Sequence, residues 1–282
     1  MTEQRDRLIY NPLLSLLMEK EEPARWEGEN ICRIDNVIRG FNWTRFVWRT
    51  VFIIPAIIFL FDICLFYRVI PEQFTVDYVL LTYSSPNLLS MFLSNYAHTT
   101  WSHLTQNILA YAITVLMIVA VAFIAIPHAN RKVGGNLRCR FGTKTLVQST
   151  LVFFLVVPFI VSATSILAAP AIGMTTGVGF SGIGYAFEGY LIYICEMLII
   201  RKSQVMWHRG NRIWVAYGAI LGTLLVILPI IFMNPLQGQS NYVAHLTGFV
   251  AGFMTPFLIE QVKRRGKNSN SIKASISSNG GI

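Results

Sequence analysis

Charge is scarce in this sequence. Only 13% of its 282 residues are Asp, Glu, Lys or Arg, against about 25% in soluble domains. With 54% hydrophobic residues, this composition excludes a disordered chain and an ordinary water-soluble globule, which could not cover that much apolar surface. Cysteine is also sparse: Cys32, Cys64, Cys139 and Cys195 share no close spacing. Neither a disulfide scaffold nor a zinc ribbon is indicated. There is no H-E-x-x-H helix, since His98 and His103 are separated by five positions and lack the glutamate, so zinc-dependent proteolysis is set aside. Asp62 is the only aspartate inside a long apolar run, whereas an aspartyl intramembrane protease needs two. No histidine pair is matched at mid-bilayer depth for haem, and no cofactor or metal is expected. A secretory leader is not expected either, because the first strongly apolar run begins near Val51.

What is abundant is hydrophobic sequence in long blocks. About 20 apolar residues span a bilayer as a helix, and six such runs are present: Val51 to Ile70, His103 to Ile126, Leu146 to Leu167, Ser181 to Ile200, Ile213 to Met233 and Tyr242 to Ile259. Backbone groups in lipid must bond within their own segment, so the fold class is an all-α membrane protein, a bundle of six transmembrane helices. No inverted internal repeat of the transporter kind is visible.

The basic residues alternate between loops. Eight precede the first run (Arg5, Arg7, Lys20, Arg25, Arg33, Arg39, Arg45 and Arg49) and only Arg68 follows it. Five lie between the second and third (Arg131, Lys132, Arg138, Arg140, Lys144), and four between the fourth and fifth (Arg201, Lys202, Arg209, Arg212). Five more follow the sixth (Lys263, Arg264, Arg265, Lys267, Lys273), and the other two loops have none. The positive-inside bias therefore predicts that both termini are cytoplasmic. It also accounts for the net charge of +9 as attraction to anionic lipid rather than to nucleic acid. Three regions are expected: a small cytoplasmic N-terminal region at 1–45 with a Leu-rich amphipathic stretch, a six-helix core at 46–262, and a Ser/Asn/Gly-rich disordered cytoplasmic tail at 263–282.

Polar residues inside the runs are functional hypotheses by default, because lipid makes them costly. With the N-terminus inside, the second, fourth and sixth spans all begin at the outer face. His103 and Asn107 open the second, just after His98; Ser181 opens the fourth; His245 lies one turn into the sixth. Side chains from three helices thus converge at one depth. Ser181 sits in Gly177-Val178-Gly179-Phe180-Ser181-Gly182, where flanking glycines allow close backbone approach and the helix N-terminus offers free N–H groups. A serine in a glycine-rich stretch is ordinarily a packing residue; a histidine base at the same depth changes that reading. His103 and Asn107, four apart on one helical face, can both donate to a developing oxyanion. Tyr185 falls one turn below Ser181. Glu188 and Glu196 lie about 10 and 22 Å deeper on the same helix, too far to orient His245, so the arrangement reads as a Ser–His dyad.

The chain resembles the rhomboid family of intramembrane serine proteases. Three motifs in order carry the resemblance: His98-x4-His103-x3-Asn107, Gly179-Phe180-Ser181-Gly182, and Ala244-His245-x2-Gly248-x3-Gly252. It covers roughly residues 46–260. The resemblance implies that Ser181 is the nucleophile and His245 the general base. His103 and Asn107, with the Ser181 backbone N–H, would hold the oxyanion. His98 would be a structural loop histidine, and Tyr185 the aromatic packed on the base. Gly248 and Gly252 form a small-xxx-small face that brings the sixth helix against the fourth. Two departures are noted. The connection from Pro71 to Ser102 lacks the family's frequent Trp-Arg pair, so its fold does not follow from the resemblance. Glu188 occupies a face where a small or apolar residue is expected; it could hydrate the cavity floor or pair with another span.

The expected activity is peptide-bond hydrolysis in or beside transmembrane segments of substrate proteins within the lipid bilayer. The uncharged loop from Asn234 to Asn241 is a candidate mobile cap over the site. Two other classes compete. A proton-coupled transporter would string polar residues from face to face, whereas these histidines stop at the outer third. A catalytically silent, client-binding rhomboid relative would lack Ser or His at the dyad, and this chain has both. The short tails fit a prokaryotic cell membrane.

Overall fold

A computed structural model describes residues 48–122, 143–208, 210–232 and 241–279. The expected N-terminal region at 1–45 and most of the basic loop after the second span lie outside the described residues. Among those described, the architecture is helical. A π-helical turn, Trp48–Ile53, runs into α1 (Ile54–Phe66). After a folded connection come α2 (Leu88–Leu93) and α3 (Trp101–Ala120). Helices α4 (Thr143–Leu155) and α5 (Val157–Ile172) follow, then α6 (Ser181–His208), α7 (Arg212–Phe232) and α8 (Tyr242–Asn279).

Five stretches are long and apolar enough to cross a membrane: Arg49–Phe66, Trp101–Ala120, Ser181–Ile200, Arg212–Ile231 and Tyr242–Val262. The bent pair α4–α5 brings the count to six when taken as one crossing. Large apolar side chains point away from the bundle: Ile57, Leu60, Leu109, Leu167 and Ile213 are each more than half exposed. In water such a surface would drive aggregation; in lipid it is solvated. The chain is therefore a multi-pass membrane protein. Helix α6 is its axis, with 44% of its crossing buried, while α7 stands at the margin with 6%.

Two kinds of packing hold α6 in place. On one side aromatic rings meet edge to face: Tyr111 of α3 and Phe153 of α4 each lie 5.0 Å from the Phe187 ring, a favoured quadrupole geometry. On the other side α6 and α8 touch backbone to backbone. A Cβ on Gly248 would collide with the carbonyl of Gly182, one on Gly252 with that of Ala186, and one on Gly189 with that of Phe249. Small residues permit this approach, which in lipid replaces the missing hydrophobic drive between helices.

The third crossing, expected as one helix from Leu146 to Leu167, is instead bent by 43° between α4 and α5. Pro158 is the cause: it lacks the N–H that would bond the carbonyl of Phe154, and its ring clashes with that turn. The freed Phe154 carbonyl accepts from the Tyr96 hydroxyl. Nearby, the Asn95 amide donates to Ser162 Oγ at 2.9 Å and to the Pro158 carbonyl at 3.2 Å. A segment of the connection before α3 thus satisfies the break.

That connection has a definite fold without a Trp-Arg pair. It comprises a single turn at Glu72–Phe74, a π-helical turn at Thr75–Val79, strand β1 (Leu81–Thr82), α2 and a 3-10 turn at Ser94–Tyr96. Asn87 and Ser90 form a reciprocal capping box at the start of α2. Strand β1 pairs antiparallel with β2 (Thr176–Gly177), Leu81 opposite Gly177. At the other end of the chain, α8 continues to Asn279, through the segment whose composition predicts disorder. After Pro256 no proline interrupts it and Gly266 is its only glycine before Asn279, so the hydrogen-bonded ladder propagates out of the crossing.

Gly252→Ala should destabilise the bundle by about 3 kcal/mol, since the carbonyl it meets belongs to a packed helix; thermal unfolding in detergent measures this. Tyr96→Phe leaves the Phe154 carbonyl without its donor and should cost about 2 kcal/mol. In a Pro158→Ala background the restored N–H takes that carbonyl, so the same substitution should cost much less there.

Candidate active site

Ser181 is the first residue of α6, and the backbone entering it is held from two sides. The β1–β2 pair fixes residues 176–177, and the Gly179 N–H donates to the Ser94 carbonyl at 2.9 Å. Gly179 has φ +136, a conformation that disfavours any side chain, and a Cβ there would meet His103 Cε1 at 2.9 Å. Glycine is therefore required both for the turn and for the room that the His103 ring occupies. Gly182 faces Val161 and the Ala244 carbonyl with no space for a side chain.

Across the α6–α8 contact, Ser181 Oγ lies 2.9 Å from His245 Nε2. Both residues are half-buried. The Tyr185 ring lies 4.5 Å from that of His245, inclined by 32°, so the imidazole is backed by an aromatic face. Among the described residues no carboxylate bonds its Nδ1, so the contact joins these two side chains without an acidic third. Asn241 sets the start of α8: its Oδ1 accepts from the Ala244 N–H at 3.1 Å, and its amide donates to Ser165 Oγ at 2.8 Å and Tyr83 Oη at 3.1 Å. A further tie joins Thr164 and Thr247 hydroxyls at 3.0 Å.

The second motif lies on α3. Thr100 caps this helix by accepting from the His103 N–H at 3.2 Å. His103 and His98 meet edge to face with ring centroids 5.0 Å apart. The Asn107 amide nitrogen lies 3.0 Å from His98 Nε2, and the Phe180 N–H reaches the same nitrogen at 3.4 Å. The other face of His98 is bound to Asp62 of α1: its backbone N–H donates to Oδ1 at 2.9 Å and its Nδ1 lies 2.8 Å from Oδ2. The structure thus brings Ser181, His245, His103, Asn107, His98, Tyr185 and Gly179 to one end of the bundle, with Gly182, Gly248 and Gly252 forming the helix contact beneath.

Glu188 does not join them. It lines a cavity of about 250 Å³ between α6 and α7, with Tyr185 and Ile192 on one wall and Leu225, Leu228 and Pro229 on the other. It has no ion-pair partner among the described residues. Residues 233–240, most of the expected cap, lie outside the described residues. The sequence reading missed Asp62 as a partner for His98, although a lone carboxylate in an apolar span is itself a sign that a donor waits nearby. Asn241 carried no such sign, because a polar residue before a helix reads only as a cap.

Residues 131–261 match the family model described as Rhomboid domain. The match takes in α4 to α7 and the first half of α8, with Ser181 and His245, and does not extend to His98, His103 or Asn107. Neither the curated proteins nor the solved structures give a significant match. A helical membrane bundle of up to six crossings is thus similar to the Rhomboid domain over the segment that carries the serine and the histidine.

Proposed function

We propose that the chain is an intramembrane serine endopeptidase that cleaves transmembrane proteins in or beside their membrane-spanning segments. The observation that carries this reading is the 2.9 Å contact between Ser181 Oγ and His245 Nε2, at a helix N-terminus with His103 packed on Gly179 beside it. The hydroxyl donates to Nε2; as Oγ attacks the scissile carbonyl carbon, its proton passes to the imidazole. The negative charge that forms on the carbonyl oxygen is met by the Ser181 N–H at the start of α6, by the His103 ring and by the free N–H of the Asn107 amide. Collapse of the tetrahedral adduct expels the amine, which takes the proton from Nε2. Water, deprotonated by His245 in turn, then hydrolyses the acyl ester and restores Ser181.

The basic loops put both termini on the cytoplasmic side in this reading, with the dyad near the opposite face, where water reaches it through a polar opening. A helical substrate offers no free amide to attack, so its cleavage segment should contain helix-breaking residues. The Ser–His pair separates this function from a silent adaptor, and the clustering of polar groups at one end separates it from a transporter.

Purified wild type should cleave a single-span reporter in liposomes and react with a fluorophosphonate, and Ser181→Ala should do neither. A well-folded wild type that reacts with no fluorophosphonate, even at alkaline pH, would overturn the proposal. Asn107→Ala should lower kcat by about 100-fold, the usual effect of losing one oxyanion donor. If its activity loss merely tracked its loss of thermal stability, Asn107 would be a packing residue only.

A further inference from the structure

Asp62 is an aspartate in the middle of an otherwise apolar span, wholly buried and bound on both oxygens by one residue, His98. A buried acid–imidazole pair is a poor stabiliser, since desolvation offsets most of the attraction and an apolar pair of equal volume does as well. Its value must lie in what it orients. We infer that Asp62 is a positioning residue for the oxyanion donors, acting by fixing the tautomer of His98; this rests on the hydrolytic reading above.

The donors and acceptors around His98 allow one consistent assignment. The Phe180 backbone group at Nε2 can only donate, so Nε2 carries a lone pair. Nδ1 then carries the proton, and the Asp62 carboxylate accepts it. With Nε2 an acceptor, Asn107 must turn its NH2 toward the ring. That nitrogen has a second N–H, left free for the site. Were the imidazole protonated on Nε2 instead, Asn107 would have to turn its carbonyl to the ring, which reorients the NH2, and the Phe180 N–H would face another N–H. The same ring also backs His103 edge-on. One carboxylate on α1 therefore sets the side-chain amide on α3 and the backbone just before Ser181, without touching substrate.

The test is Asp62→Asn, which keeps shape and burial but can present an NH2 to Nδ1 and so favour the opposite tautomer. On a fluorogenic single-span peptide, kcat should fall by about 10- to 100-fold, the range of a weakened oxyanion donor, while KM changes by less than about twofold. In an Asn107→Ala background the same substitution should cost several-fold less than in wild type, because one of the donors it positions is gone. An equal loss in both backgrounds would overturn the inference. A second readout is independent of turnover: in protein labelled with 15N-histidine, the His98 signal, assigned by its disappearance in His98→Gln, should report a protonated Nδ1 in wild type and a shift toward protonated Nε2 in Asp62→Asn. Wild type with Nε2 protonated, or no change on substitution, would also overturn it. Should wild type cleave nothing, the hydrolytic reading fails by itself, and the nitrogen spectrum still decides what Asp62 does.

Discussion

Two membrane helices, α6 and α8, meet with no side chain between their backbones, Gly248 against Gly182 and Gly252 against Ala186. Lipid tails are as apolar as leucine, so nothing like the hydrophobic effect presses helices together inside a bilayer; close van der Waals contact and polar ties must do it. Each methyl group missing from this interface therefore has two effects. It supplies packing to the bundle, and it sets the spacing at which a serine on one helix can hydrogen-bond a histidine on the other. Widening the contact by one carbon would loosen the core and part Ser181 from His245 together. The aromatic packing on the far side of α6, around Phe187, keeps that helix from retreating.

A second economy concerns polar groups. The proline-induced break in the third crossing frees a carbonyl, and the connection between α1 and α3 supplies the hydroxyl and amide that fill it. The same connection gives one strand to the pair that leads into Ser181 and the carbonyl that holds Gly179. Irregular backbone at membrane depth is tolerated when it is buried in protein, and here it is part of the scaffold of the site.

The crossings were largely legible in the sequence because length and apolarity alone define them, and the motif residues because polar groups stand out against that background. What escaped was set by partners distant in the chain. Pro158 inside an apolar run reads as a tolerated kink until Tyr96 is seen on the carbonyl it frees. The connection Pro71–Ser102 offered no periodic pattern, since its order comes from β2 and α5. Asp62 was visible as an anomaly, yet its partner lies 36 residues away. The segment after Val262 reads as disordered from its composition, which measures the lack of a core and says little about whether a helix already begun will continue, as α8 does to Asn279.

The order of the site along the chain has a consequence for its biosynthesis. Asp62, His98, His103, Asn107 and Ser181 all precede the residue that would activate the serine, and His245 stands on α8, which leaves the ribosome after the helices that carry them. Until α8 inserts and slides against α6, a nascent chain in a crowded translocation site holds a serine hydroxyl with no base. On the hydrolytic reading, the newly made enzyme is harmless to its neighbours until α8 arrives, by geometry alone, and its competence is coupled to the docking of α8 on α6.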